Sequence, residues 1–124
     1  MEENVTTLEL RTEVEPETIE NELERDPFDD YDPNIEKIYS GSYTLEDTIP
    51  LMLHDDYRVR FLAEYAQTKL RYNNLHKMIV KMDAGTLEFQ PKASRILLLN
   101  QKSHMGNYLN QLEIRAEVEG IRLP

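Results

Sequence analysis

The chain has no cysteine. That excludes a disulfide framework, a thiol nucleophile and a cysteine-ligated zinc site, and it fits a reducing cytosol. No run of 18 or more apolar residues occurs, so no ordinary transmembrane helix is encoded. The opening MEENVTTLEL is acidic where an export signal needs a basic stretch followed by an apolar one. These absences predict a soluble, unexported protein with no membrane partner. Glycine is scarce, at 4 residues, and no glycine-rich phosphate loop, nucleophile elbow or kinase signature appears. Histidine is scarcer still. His54, His76 and His104 are scattered without an H-E-x-x-H pattern, so no metal site is expected. His76 and His104 could face each other from the middles of two helices, but exposed or internally satisfied histidines are the more ordinary outcome. With 24 acidic residues, two carboxylates meet somewhere by chance, and that pattern signals nothing. The sequence predicts no catalytic residue, no cofactor and no enzyme.

What is present is charge of both signs, segregated along 124 residues, which is room for one compact domain. Residues 1–56 carry 18 acidic and 3 basic side chains, net −15, and residues 57–124 carry 6 and 11, net +5. The chain divides accordingly into an acidic segment over 1–55 and a helical region over 56–124.

In the second part Phe61, Tyr65, Thr68, Tyr72, Leu75, Ile79 and Met82 follow at spacings of 4, 3, 4, 3, 4 and 3. That is the seam of a helix packed lengthwise on another, and it predicts one helix over 56–82. Asp55 and Asp56 favour its start and Gly85 its stop. The stretch DAGTLEFQPKAS breaks the pattern, and Ser94 opens a second helix from Arg95 to Glu119, closed by Gly120. Its apolar line is Leu98, Met105, Leu109, Leu112 and Ala116, interrupted by Lys102. Gly106 inside that helix costs about 1 kcal/mol against alanine, which predicts a backbone or a ligand close by. Two helices so joined make a long antiparallel hairpin. Val59, Leu62, Ala66 and Leu70 on the first helix, and Leu97, Leu99, Ile114, Val118 and Ile121 around the second, lie outside the shared stripe. They predict a homo-oligomeric helical assembly.

The acidic segment is less regular. LELRTEV alternates as a short strand does, PETIENELER suits a turn or two of helix, DPFDDYDPN reads as loop, and KIYSGSYTLE suits a hairpin of two short strands about Ser40 and Gly41. The fold class is thus mainly α, with short β-strands in the leader. DYDPNIEKIYSG offers Asp30, Asp32 and Asn34 as oxygen ligands for calcium, but Ile35 stands where glycine is needed and Gly41 where a bidentate glutamate is needed. The motif fails.

The first helix also carries Tyr57, Arg58, Arg60, Phe61, Tyr65, Lys69, Arg71 and Tyr72. Guanidinium forks fit phosphate oxygens and tyrosine rings offer a face to a base, so the set suits a small anionic nucleotide. A solvated basic face alternating with a core stripe is the plainer account. It absorbs Phe61, Tyr65 and Tyr72 more readily than Tyr57, Arg58, Arg60 and Arg71. In an oligomer this helix start can meet the end of another chain's second helix, where Arg115 and Arg122 stand.

The segments DDYRVRF and LAEYAQTKLRY, the turn DAGTLEFQP and the tail YLNQLEIRAEVEGI resemble a family of small helical proteins of tailed phages, crAss-like phages included. More distantly, the layout is similar to the helical hairpin of phage anti-CBASS and anti-Thoeris sponges. Those bind cyclic oligonucleotide or cyclic ADP-ribose messengers of bacterial immunity as oligomers, without cleaving them. The resemblance implies that Tyr57 stacks on a base, that Arg58 holds a phosphate, and that Arg115 of a neighbouring chain does likewise. The resulting expectation is a non-enzymatic messenger sponge in the host cytoplasm. Its binding residues are Tyr57, Arg58, Arg60, Tyr65, Arg71 and Arg115, and no nucleic-acid polymer is a partner. Two other readings stay open: an acidic mimic of DNA that occupies a host protein, and an oligomeric adaptor or scaffold acting through protein contacts. The −15 leader could also neutralise the basic helices within one molecule.

Overall fold

A computed structural model describes residues 32–124 of the chain. They form four helices and, among the described residues, no strand. These are α1 (Pro33–Ser40), α2 (Leu45–Met52), α3 (Tyr57–Ala84) and α4 (Arg95–Glu119). The expectations for LELRTEV and PETIENELER lie outside the described residues.

The two short helices correct the sequence reading, which placed strands about Ser40 and Gly41 and loop through Asn34. The Asp32 carboxylate accepts the Asn34 amide at 2.8 Å, and Pro33 occupies the first turn, where a missing N–H costs nothing. The oxygen-rich DPN that resembles a calcium loop is therefore a helix cap. Ile35 and Ile38, one turn apart, are buried. Gly41 ends α1, and Asp47 reaches back to the Thr44 amide at 2.9 Å to open α2.

The long helices begin and end on the residues expected to punctuate them. Asp56 caps α3 by accepting the Arg58 amide at 2.8 Å, and Gly85 ends it in the left-handed region at φ 75°, where a side chain would strain the backbone. α3 runs two residues past the expected Met82, and Arg95 grips Asp83 in that last turn with two bonds of 2.8 and 3.0 Å. The Ser94 hydroxyl accepts the Leu97 amide at 3.2 Å to start α4, and Gly120 closes it. Cross-contacts join Tyr57 to Glu119, Tyr65 to Glu113, Tyr72 to Gly106 and Asp83 to Arg95. Position thus rises along α3 as it falls along α4. Phe61, Tyr65 and Ile79 are buried in the seam, as are Leu98, Leu109, Leu112 and Ala116.

Val59, Leu62 and Ala66 do not form an outward face for self-association. They are fully buried, because α2 packs on the first half of α3. Gln67 Nε2 donates to Thr48 Oγ1 at 2.8 Å, and the Tyr43 hydroxyl donates to the Ala66 carbonyl at 3.0 Å. The buried Thr48 hydroxyl in turn donates to the Leu45 carbonyl at 2.6 Å, so this polar group is satisfied. Ile121 is buried too, whereas Leu97, Ile114 and Val118 remain exposed.

At Gly106 the neighbour is a side chain rather than a backbone or a ligand: a Cβ there would stand 3.3 Å from Tyr72 Cε1. Glycine lets the tyrosine edge lie against α4, and Lys102 Nζ sits 5.6 Å from the same ring's centre. Among the described residues no helix is long and apolar enough to cross a membrane.

Replacing Leu62, whose side chain has no solvent exposure, by alanine is expected to lower the unfolding free energy by about 2–5 kcal/mol. Leu53→Ala, at a residue 80% exposed, should change it by less than about 0.5 kcal/mol. Urea titration of both variants followed by circular dichroism measures the contrast.

Candidate functional site

The start of α3 lies beside the end of α4, and a helix advances about 100° per residue. Tyr57, Glu64 and Arg71 therefore share one edge of the α3 seam, while Arg58 and Tyr65 lie toward the other. That division decides which of the expected site residues meet.

Tyr57 and Arg115 do meet, through Glu119. The Tyr57 hydroxyl donates to Glu119 Oε1 at 3.0 Å, and Arg115 Nε donates to Oε2 at 2.7 Å. The Arg115 guanidinium also lies 4.6 Å from the centre of the Phe61 ring, a cation over an aromatic face. The bond to Glu119 strengthens Arg115's hold on its proton against the opposing effect of partial burial. Two turns further along this edge the Tyr108 hydroxyl donates to Glu64. Partial burial, and then the Glu64 carboxylate, push the Tyr108 phenol up to about 12. Two tyrosines, two glutamates and an arginine over a phenyl ring make one polar strip.

The other expected residues stand apart from it. Arg58 folds back on its own helix cap, with Nε 3.2 Å from Asp56 Oδ1 and Nη2 3.1 Å from Oδ2. Burial resists ionisation of Asp56, but the two Arg58 bonds and the Arg58 amide outweigh it and hold the carboxyl below its usual range. Arg60 donates to the carbonyls of His54 and Asp55 at 2.5 and 2.9 Å, which fastens the turn before α3. Tyr65 is buried and donates to Glu113 Oε2 at 2.7 Å; burial and that carboxylate raise its phenol pKa. Arg71 is exposed, about 21 Å along the helix from Tyr57. Glu119, Glu64 and Tyr108 were not singled out by the sequence. The only hint of Glu119's role is its place four residues after Arg115.

Beside Tyr65 an open depression of about 430 Å³ is lined by Glu113, Ala116, Glu117, Ile121 and Arg122. Arg122 is turned onto Tyr39, its guanidinium 3.7 Å from the ring centre, and the Tyr39 hydroxyl donates to the Arg122 carbonyl at 2.7 Å. His76 and His104 are both exposed. Among the described residues no three His, Asp or Glu side chains gather where they could hold a metal ion.

Residues 55–118 match the Sequestin family, a stretch that runs from the turn before α3 almost to the end of α4. The chain belongs to the Sequestin family. The matched segment contains Tyr57, Phe61, Glu64, Tyr108 and Arg115, and Glu119 follows it directly. The Sequestin segment thus supplies both long helices and nearly all of the polar strip. No curated protein and no solved structure matches the chain.

Asp56 is the cap on which this end of α3 depends. Asp56→Ala should cost about 1 kcal/mol at neutral pH. A carboxyl with a lowered folded pKa adds stability above its unfolded pKa of about 4 and loses it as pH falls through the folded value. The gap between wild type and variant should therefore be full at pH 7 and shrink below about pH 4, as denaturant titrations across that range would show.

Proposed function

We propose that the protein is a non-enzymatic sequestering protein in which α3 and α4 form an antiparallel hairpin that assembles as a homo-oligomer and holds a small anionic nucleotide. The observation that carries this reading is the meeting of Tyr57 and Arg115 at Glu119, with the Arg115 guanidinium over the Phe61 ring, within and directly beside the segment that marks the family. The family's name itself speaks of sequestering. The ligand class in this reading is a cyclic nucleotide or cyclic ADP-ribose messenger, and the setting is the cytoplasm of a bacterium infected by a phage. Residues 56–124 are the binding unit and residues 1–55 the acidic segment before it.

Sequestration needs no reacting group. Lowering free messenger is enough, provided sites are abundant and the Kd lies below the signalling concentration; 1 nM corresponds to about −12 kcal/mol. Glu119 defines how such a site works. Its carboxylate occupies the position toward which Tyr57 and Arg115 both donate, and a ligand phosphate would take that position by displacing it. The donors are thereby held together before the ligand arrives, while Glu119 competes with it. Of the other expected residues, Arg71 is exposed and could reach such a site from a neighbouring chain, whereas Arg58, Arg60 and Tyr65 are held by partners of their own.

Calorimetric titration with cyclic dinucleotides, cyclic trinucleotides and cyclic ADP-ribose isomers tests the reading. Heat and a thermal shift with one of them are expected. Arg115→Ala should weaken that binding by at least about tenfold, a loss of about 1.4 kcal/mol, and Glu119→Gln should strengthen it by removing the competing charge. Silence across the whole panel would overturn sequestration and leave the adaptor or scaffold reading.

A further inference from the structure

α4 has a second stripe, opposite the one that packs on α3. Ile96, Asn100, Ser103, Asn107, Gln111, Ile114 and Val118 lie along it at about 100° per residue. All of them are exposed: Ile96 is 70%, Ile114 50% and Val118 80% open to solvent. Although 31% of the chain is charged, no Asp, Glu, Lys or Arg falls on this line. A solvated helix face in such a chain would carry charges, so the uncharged stripe points to a face that is covered.

The stripe is also symmetric. Its spacings of 4, 3, 4, 4, 3 and 4 read the same from either end, with Asn107 at the centre. An antiparallel second copy therefore sets Ile96 level with the second copy's Val118, Asn100 with its Ile114, Ser103 with its Gln111, and Asn107 on its own counterpart. Ile96 and Val118 meet at each end, Asn100 lies level with Ile114 next to them, and Ser103, Asn107 and Gln111, which can pair with each other, fill the middle. A self-complementary patch on a two-fold axis is the commonest way that identical chains associate. A buried asparagine at the centre of a helix seam fixes its register at a cost in stability.

We propose that the outer stripe of α4 is the two-fold interface between two copies of this chain, paired antiparallel about Asn107. This gives the self-association in the sequestration reading a definite face and rests on that reading only there. Ligand binding can fail while the seam holds, and the seam can fail while ligand binding holds.

The absence of native cysteine makes the test direct. Under mild oxidation Asn107→Cys should form a disulfide-linked dimer on a non-reducing gel. Asn100→Cys and Ile114→Cys should each stay largely unlinked alone and link when mixed. Because Ile114 and Val118 are exposed, Ile114→Glu and Val118→Glu should keep the helical circular dichroism while sedimentation shows dimer dissociation at least about tenfold easier. Equal linking by all the single-cysteine variants would overturn the antiparallel register. Sedimentation of the unaltered chain as a monomer at every concentration, or a dimer indifferent to both glutamates, would overturn the interface.

Discussion

The first half of α3 has to be covered on two sides at once. Val59, Phe61, Leu62, Ala63, Tyr65 and Ala66 are all buried, and they spread over more of the helix circumference than one partner can reach. α4 takes the stripe that contains Phe61 and Tyr65. α2 takes the stripe behind it, tied by the Gln67 to Thr48 and Tyr43 to Ala66 bonds. Beyond Leu70 only Ile79 is buried on α3, so that half relies on α4 alone. Burial is therefore concentrated at the end of the helix pair where the polar strip lies. Regions with few buried apolar contacts open first, which places local opening toward the Gly85 turn and leaves the strip on the firmer half.

This double coverage also decides what the sequence could disclose. The α3 and α4 seam was legible because it repeats over many residues with one period and has local punctuation at Asp56, Gly85, Ser94 and Gly120. α1 and α2 were not, because 8 residues hold barely two turns and cannot display a period. Their real signals were caps: Asp32 with Pro33, and Thr44 with Asp47. In the sequence alone Asp32 has the oxygen spacing of a calcium loop, and the stretch from Lys37 to Glu46 the alternation of two short strands. Without those helices Val59, Leu62 and Ala66 have no partner within the chain, and a second copy is the apparent cover; α2 is the actual one. A leftover apolar face in a sequence says that something covers it, not what does.

The candidate site shows the same limit for charge. Sequence composition gathers Tyr57, Arg58, Arg60, Tyr65, Arg71 and Arg115 into one basic and aromatic set, but partners are chosen by geometry. Arg58 is taken by the cap of its own helix and Arg60 by two carbonyls of the preceding turn. Both partners lie within six residues, yet no property of the arginines alone shows that they fasten a helix start. Tyr57 and Arg115 come together across 58 positions because α4 returns past α3, and the carboxylate that links them belongs to a residue with no distinguishing pattern.

Faces on α4 carry separate tasks with little overlap. Leu98, Leu109, Leu112 and Ala116 hold α3, Tyr108, Arg115 and Glu119 make the polar strip, and the outer line from Ile96 to Val118 carries no charge. At about 100° per residue, Arg115 is the member of the strip nearest the outer line. An antiparallel neighbour on that line would bring its own α4 start, with the exposed Leu97, close to Arg115. Helix-start amides favour anions, so a phosphate drawn to Arg115 would lie near the positive end of the second helix. Assembly through the outer line would then add to the site a donor set that one chain cannot provide. It would also remove water from the Arg115 to Glu119 pair, whose exchange for a ligand becomes more sensitive to charge as the surroundings dry.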